Sequence, residues 1–317
     1  MLDGLARGWE VTTFNRGSGW VHPEARHLIG DRLDPNGLAS LSDRAWDIVL
    51  DTWSGPPRVV RESARELAER TSRYVYVSSA SVYVPPPPMN TDETAPTVEA
   101  SPDATDGDYA ECKRGAELAV LEAFGERALL TRAGIILGPY EDVGRLTWWL
   151  RRSAKGGEIL APGPPDFPLQ YVDARDLITF ALDAALAGHH GPFNVTSPRG
   201  HATMRELLDA CVAATGARNA ELTWVDPDAI EAAGVKGWTE LPMWLPPGEF
   251  DGMLGFSVEH AHEAGLRCRP VHETVSDTWE WLSACAEGVP QRAELPRTGL
   301  DPTRERQVLA EWHARRH

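Results

Sequence analysis

The chain has 317 residues, 42% hydrophobic and 25% charged, enough for one large domain or two smaller ones with a sizeable core. A net charge of −16 opposes a phosphate-backbone partner, and the strongest basic cluster, Arg151, Arg152 and Lys155, is small, so no nucleic acid is expected. The four cysteines, Cys112, Cys211, Cys268 and Cys285, lie far apart without a Cys-x-x-Cys pair. They indicate neither a metal site nor a disulfide framework and fit a reducing cytoplasm. No apolar run reaches the ~20 residues of a membrane span, and no signal peptide opens the chain.

In chain order, Leu2 to Gly8 reads as the last two turns of a helix stopped by Gly8, followed by a strand over Glu10 to Phe14. A short strand near His27 to Ile29, a helical piece at Leu38 to Ser42, a buried-type strand at Asp47 to Asp51 and an amphipathic helix from Pro57 to Arg70 come next. Tyr74 to Val77 continues as a strand and closes in Ser78-Ser79-Ala80-Ser81. The acidic, proline-containing stretch from Pro85 to Asp108 reads as a mobile loop. A helix then opens near Asp108, and a strand runs from Ala128 to Ile135. Strand and helix alternating in this way predict an α/β fold, a doubly wound parallel sheet covered on both faces.

Beyond Tyr140 the texture changes. Helices are expected at Val143 to Ala154, Ala174 to Ala187, Met204 to Thr215 and Val271 to Ala286, with Pro and Trp dense around Trp238 to Pro247. We therefore divide the chain into a nucleotide-binding core (1–140), a mixed region that binds substrate and completes the core (141–295), and a helical tail (296–317). Most of the twelve tryptophans fall in the later half, where packing explains them better than substrate stacking. The tail can pack back on the body or on a second copy in a homodimer.

The chemistry concentrates between Ser79 and Lys113. Tyr109 and Lys113 stand one helical turn apart on one face, and a cation so placed stabilises a phenolate that is otherwise a poor acid or base near neutrality. Ser79, ending its strand, can hold a substrate oxygen beside the phenol. Such a set suits proton transfer at a carbonyl or alcohol carbon that exchanges hydride with a nicotinamide. Tyr-x-x-x-Lys alone is a weak pattern, and on most helices it is only a solvated pair. The preceding strand with its small hydroxyl residues, and the loop after it, raise its weight.

Val77-Ser78-Ser79-Ala80-Ser81-Val82-Tyr83, Tyr109-x-x-x-Lys113, Leu137-Gly138-Pro139, Gln170 to Leu177 and Phe193-Asn194-Val195 together resemble the signatures of the extended and atypical short-chain dehydrogenase/reductases, the NAD-dependent epimerase/dehydratase family. The resemblance implies a Rossmann-like sheet and a catalytic trio of Ser79, Tyr109 and Lys113, with Ser81 facing substrate and Lys113 also holding the nicotinamide ribose. It places Asn15 and Arg16 at the adenine ribose, Asp31 and Arg32 beside the adenine, and Thr52 and Ala133 along the cofactor. An arginine at position 16 suits a 2′-phosphate, favouring NADP(H) over NAD(H). Sugar-nucleotide dehydratases of the family carry an Asp-Glu pair where this chain has Ala80 and Ser81, which favours reduction or epimerisation of a small or sugar-like substrate over dehydration.

One departure is large. The family opens with a strand and a glycine-rich turn that bind the cofactor pyrophosphate, and no such turn stands near the start of this sequence. The central strand of the sheet is then unaccounted for. Either its two neighbours close up against each other, or the numbered start is an artefact, since a slot two strand spacings wide would orphan backbone groups. The same departure puts cofactor binding in doubt and keeps open a non-redox catalyst, a pseudo-enzyme or a binding protein on this fold.

Overall fold

The computed structural model describes residues 1–17, 19–248, 250–285 and 297–316. The chain begins with α1 (Leu2–Ala6), β1 (Thr12–Asn15), β2 (Arg26–Ile29), β3 (Trp46–Asp51), α2 (Pro57–Leu67), β4 (Thr71–Ser79) and α3 (Tyr109–Phe124). It continues through β5 (Ala128–Ala133), β6 (Ile135–Leu137), α4 (Arg145–Ala154), β7 (Gly157–Pro162), β8 (Pro168–Leu169), β9 (Tyr171–Asp173), α5 (Ala174–Leu186) and β10 (Gly191–Val195). The last elements are β11 (Ala202–Thr203), α6 (Met204–Thr215), β12 (Ala220–Val225), α7 (Pro227–Ala232), α8 (Glu259–Glu263), α9 (Val271–Ala284) and α10 (Pro302–Arg316).

The main sheet has the order β10-β5-β4-β3, all parallel. Its strands read as apolar runs because both faces are covered. In β4, Tyr74 and Tyr76 point to one side and join α2 and α3 residues such as Val60, Ala116 and Val120. Val75 and Val77 point to the other and join Leu177, Phe180 and Ala181 of α5. That is the period-2 alternation of a strand between two helical layers. Close approach of α3 to the start of α2 requires Gly115, where a Cβ would lie 2.5 Å from the Ser101 carbonyl oxygen and 2.6 Å from Pro57 Cγ.

The fold class is as the sequence predicts, a parallel α/β sheet between helices, but β1 and β3 do not close up against each other. Among the described residues β1 pairs only with β2, and β3 pairs on its other side with β4. A cleft of about 650 Å³ lies between them, bordered by Thr12 to Arg16 on one side and Ile48 to Trp53 on the other. Arg32, three residues beyond β2, forms an ion pair with Asp51, the last residue of β3, so the carboxyl ends of β2 and β3 lie at the same edge. β1, parallel to β2, therefore runs in the same direction as β3.

Two further differences have local causes. The run from Ala128 to Ile135 breaks at Gly134, where a Cβ would lie 2.7 Å from Thr196 Oγ1, and the chain leaves β5 to pair β6 with β9. The loop from Pro85 to Asp108 is anchored: Arg132 donates to the Glu93 carbonyl, the Asn194 amide donates to the Glu93 carboxylate at 2.6 Å, and Ser257 donates to the Thr91 carbonyl. Composition marks the loop as polar, but these long-range partners are invisible in sequence.

The later half builds the largest apolar cluster, with Trp149 and Trp244 fully buried, in keeping with packing tryptophans. The tail helix α10 packs back on the body. Val308 and Leu309 are buried in that cluster, and Glu305 pairs with Arg152 at 2.7 Å while accepting from the Leu160 amide. No described helix is long and apolar enough to cross a membrane.

Candidate active site

The site begins with a helix cap. Asp108 accepts from the Glu111 amide while Glu111 reaches back to the Asp108 amide, a capping box that fixes the first turn of α3 and places Tyr109 at its first position. Tyr109 is 52% exposed. One turn on, Lys113 is buried, with Nζ 6.0 Å from the Tyr109 ring centroid and 4.9 Å from that of Tyr76. Its ammonium donates to the carbonyl oxygens of Val77 and Trp53, each at 2.8 Å. These two carbonyls belong to β4 and to the segment after β3, so Lys113 joins α3 to the border of the cleft.

Ser79 ends β4 and sits opposite Ala133 in the ladder with β5. Its hydroxyl donates to Ser81 Oγ at 3.1 Å and accepts from the Ser81 amide at 3.2 Å, which turns the chain and exposes Ser81. The structure thus brings Ser79, Ser81, Tyr109 and Lys113 to the carboxyl edge of the sheet. Ala133 is buried behind Ser79 and offers only its backbone and methyl group.

Of the residues expected around a cofactor, five come together in the cleft between β1 and β3, and Lys113 and Ala133 do not line it. Asn15, Arg16, Asp31, Arg32 and Thr52 all line it. Arg16 and Thr52 are exposed. Asn15 Oδ1 accepts from the Gly17 amide at 2.8 Å and lies 3.0 Å from His27 Nε2, while Asp31 accepts from the Leu33 amide.

Arg32 is committed elsewhere. It donates to both oxygens of Asp51, at 2.7 and 3.0 Å, and to Ser63 Oγ, and it stacks over Trp53 at 5.0 Å. Burial pushes the Asp51 carboxyl up, but the Arg32 guanidinium, a hydrogen bond from the Tyr74 hydroxyl and one from the Trp53 amide together hold it below its ordinary value. The Tyr74 phenol is raised well above its ordinary range by burial and by the Asp51 charge beside it.

A dinucleotide has three parts to accommodate. Of the residues expected at its two ends, Asn15, Arg16, Asp31 and Thr52 line the cleft, whereas Lys113 and Ser79 lie beyond its lining at the end of β4. For the pyrophosphate, the described residues offer no glycine-rich turn leading into a helix at this edge, because α1 is a single short helix followed by β1. The residues present therefore fit the two ends of the cofactor better than its middle.

Sequence reasoning missed a second layer behind the trio. Glu117, one turn beyond Lys113 and fully buried, accepts from Ser78 Oγ at 2.7 Å and from Arg132 at 2.9 and 3.0 Å. Arg132 in turn donates to the Tyr83 hydroxyl, which donates to Asn194 at 2.6 Å. Burial pushes the Tyr83 phenol up to about 12. The available signal was spacing: a glutamate four residues after Lys113, on a helix face otherwise made of Cys112, Ala116, Ala119 and Val120, is a charge pointing inward.

No curated protein sequence matches the chain significantly. Among solved structures, the Bordetella bronchiseptica enzyme WbmH in complex with NAD+ superposes with a TM-score of 0.64 at 16% identity, covering 89% of this chain and 92% of that one. The Thermotoga maritima UDP-glucose 4-epimerase with UDP-glucose gives 0.59 at 18% identity, covering 89% and 93%. The Bacillus anthracis dTDP-glucose 4,6-dehydratase in complex with NAD gives 0.62 at 12% identity, covering 90% and 92%. At these identities the likeness speaks for the fold. The family model matches residues 35–221, more than half of the sequence and including Ser79, Tyr109 and Lys113, and the chain belongs to the NAD dependent epimerase/dehydratase family.

Proposed function

We propose that the protein is an NADP(H)-linked oxidoreductase or epimerase acting on a carbonyl or secondary alcohol of a sugar-like substrate carried on a nucleotide. Tyr109 is the proton donor and acceptor, Lys113 its cationic partner, Ser79 the hydrogen-bond donor to the reacting oxygen, and Ser81 a substrate contact. The observation that carries this reading is the exposed Tyr109 phenol, held by a capped helix turn above the buried Lys113 ammonium, with the Ser79 and Ser81 hydroxyls ending the strand whose Val77 carbonyl Lys113 binds. The nucleotide-sugar class and the nicotinamide are supported by the family and by the solved structures named above, two of which hold NAD and one UDP-glucose.

When bound, the nicotinamide supplies or takes up the hydride. Asn15, Arg16 and Asp31 would hold its adenosine end, and Thr52, Ala133 and Lys113 its other end. In the oxidising direction the Tyr109 oxygen takes the substrate hydroxyl proton as hydride leaves the same carbon, and in the reducing direction it returns that proton to the carbonyl oxygen. Lys113 stabilises the oxygen while it is charged, and Ser79 keeps the substrate oxygen in reach.

The test is turnover of a panel of UDP- and dTDP-linked sugars with NADP(H) and NAD(H), followed by nicotinamide absorbance and by chromatography of the sugars. Tyr109→Phe should melt as the parent chain does and lose turnover by roughly 10²–10⁴. Parent-like turnover in Tyr109→Phe would end this mechanism. A second reading, a non-redox catalyst or binding protein, draws on the lack, among the described residues, of a glycine-rich turn leading into a helix at the cleft. Titration with NADPH, followed by tryptophan fluorescence, separates the two, because only the first requires saturable binding.

A further inference from the structure

Two tyrosines flank the Lys113 ammonium, and the nearer one is not Tyr109. Lys113 Nζ lies 4.9 Å from the Tyr76 ring centroid and 6.0 Å from that of Tyr109. The Tyr76 hydroxyl donates at 2.8 Å to the carbonyl oxygen of Trp53, and the same oxygen accepts from Lys113 Nζ at 2.8 Å. A carbonyl oxygen has two lone pairs, so these two donors fill it. Tyr76 therefore offers the cation its ring and pins the carbonyl that the cation binds.

The strand sets this up. In β4, Tyr76 stands opposite Asp51 of β3 and, like Tyr74 two residues earlier, turns to the face covered by α2 and α3. It is fully buried, and burial pushes its phenol above the ordinary range, with Asp51, Tyr109 and Glu117 pushing the same way. It stays a neutral donor. Lys113 arrives from α3 on a flexible four-carbon stem, and the field of its ammonium at Tyr109 depends on where that stem ends. The Tyr76 ring and the carbonyls of Trp53 and Val77 carry no net charge, so they fix the ammonium without cancelling it.

We propose that Tyr76 is a positioning residue for the site: its ring face and its hydroxyl set where the Lys113 ammonium stands, and Tyr109 is served through it. The inference rests on the reading of Lys113 as the cationic partner of Tyr109 and adds a residue outside the trio. Packing alone would give Tyr76 a different signature, since an apolar side chain of similar volume would then replace it with no effect on Lys113.

The chain has three lysines, Lys113, Lys155 and Lys236, of which only Lys113 is buried. The full chain labelled with carbon-13 at the lysine ε carbon gives one magnetic-resonance signal for each, and Lys113→Met identifies the one of interest. In the parent chain and in Tyr76→Phe, which keeps the ring, the Lys113 ε-proton signal should lie upfield of those of the two exposed lysines. In Tyr76→Met it should lose most of that displacement. Phe124→Leu, a cavity in the same apolar cluster, should lower the melting temperature and leave the signal in place. With a sugar nucleotide that the parent chain turns over, Tyr76→Met should lower kcat roughly tenfold with KM nearly unchanged, and Tyr76→Phe should fall between the two. Four results would each overturn the proposal: a parent signal no further upfield than the exposed lysines, a Tyr76→Met signal at the parent position, a Tyr76→Met kcat equal to the parent's, or a Phe124→Leu signal displaced as far as that of Tyr76→Met. The lysine signal needs no substrate, so its outcome is read apart from that of Tyr109→Phe, on which the catalytic reading stands or falls.

Discussion

The Lys113 ammonium lies 2.8 Å from the carbonyl oxygen of Trp53, an oxygen that also accepts from the Tyr76 hydroxyl at 2.8 Å. The residue proposed to assist proton transfer is therefore also a strut between α3, β4 and the border of the cleft. Lys113→Met should show both roles. It removes a charged donor from two carbonyls, of which that of Trp53 keeps the Tyr76 hydroxyl, so stability should fall by about 1–3 kcal/mol and turnover with it, whereas Tyr109→Phe should lower turnover alone. Thermal melts of the two variants, read beside their turnover, check this. Equal melting of both would remove the structural role.

Cofactor choice is expected to rest on Arg16, exposed at the cleft beside Asn15. Arg16→Asp replaces a charge-assisted phosphate contact by repulsion and should weaken NADP(H) binding more than NAD(H) binding. Parallel titrations with the two cofactors decide it. Equal losses would mark Arg16 as a solvated loop residue.

The Asp51–Arg32 pair gives the protein an acid limb. The folded carboxyl sits below its ordinary value of 3.8, so its contribution to stability is fully present above that pH and is lost as pH falls through the lower folded value. Urea midpoints should decline as pH drops below about 4. Asp51→Asn should flatten that part of the profile. Because it leaves a buried guanidinium without its counter-charge, it should also cost roughly 3–5 kcal/mol near neutrality.

Glu117 is expected to be a structural anchor for α3. Glu117→Leu strands Arg132, whose side chain is 4% exposed, and should destabilise by about 3–5 kcal/mol. The double variant Glu117→Leu with Arg132→Met should recover a large part of that loss, since it removes both charges. Urea unfolding of the three proteins measures the difference. A single variant as stable as the parent chain would show that the pair contributes nothing.

Local pattern determined much of this protein. Apolar runs closed by small residues and glycines fixed β3, β4 and β5 to within a few residues, and the helix expected to open near Asp108 matches the start of α3 and hence the place of Tyr109. Tyr109 and Lys113 were legible because helical spacing is a local property. Arg32 shows the limit: its place after β2 was readable, but its commitment to Asp51 was not, because ion-pair partners nineteen residues apart meet only through packing. The anchoring of the 85–108 loop and the buried Glu117–Arg132 pair were decided in the same way, by contacts between segments remote in sequence. The cleft is the clearest case. Sequence could count the strands and find one unaccounted for, but whether β1 and β3 would close together depended on the helices packed above and below them. With α2 and α3 on one face and α5 on the other holding β3 and β4 in place, the two edges stay apart.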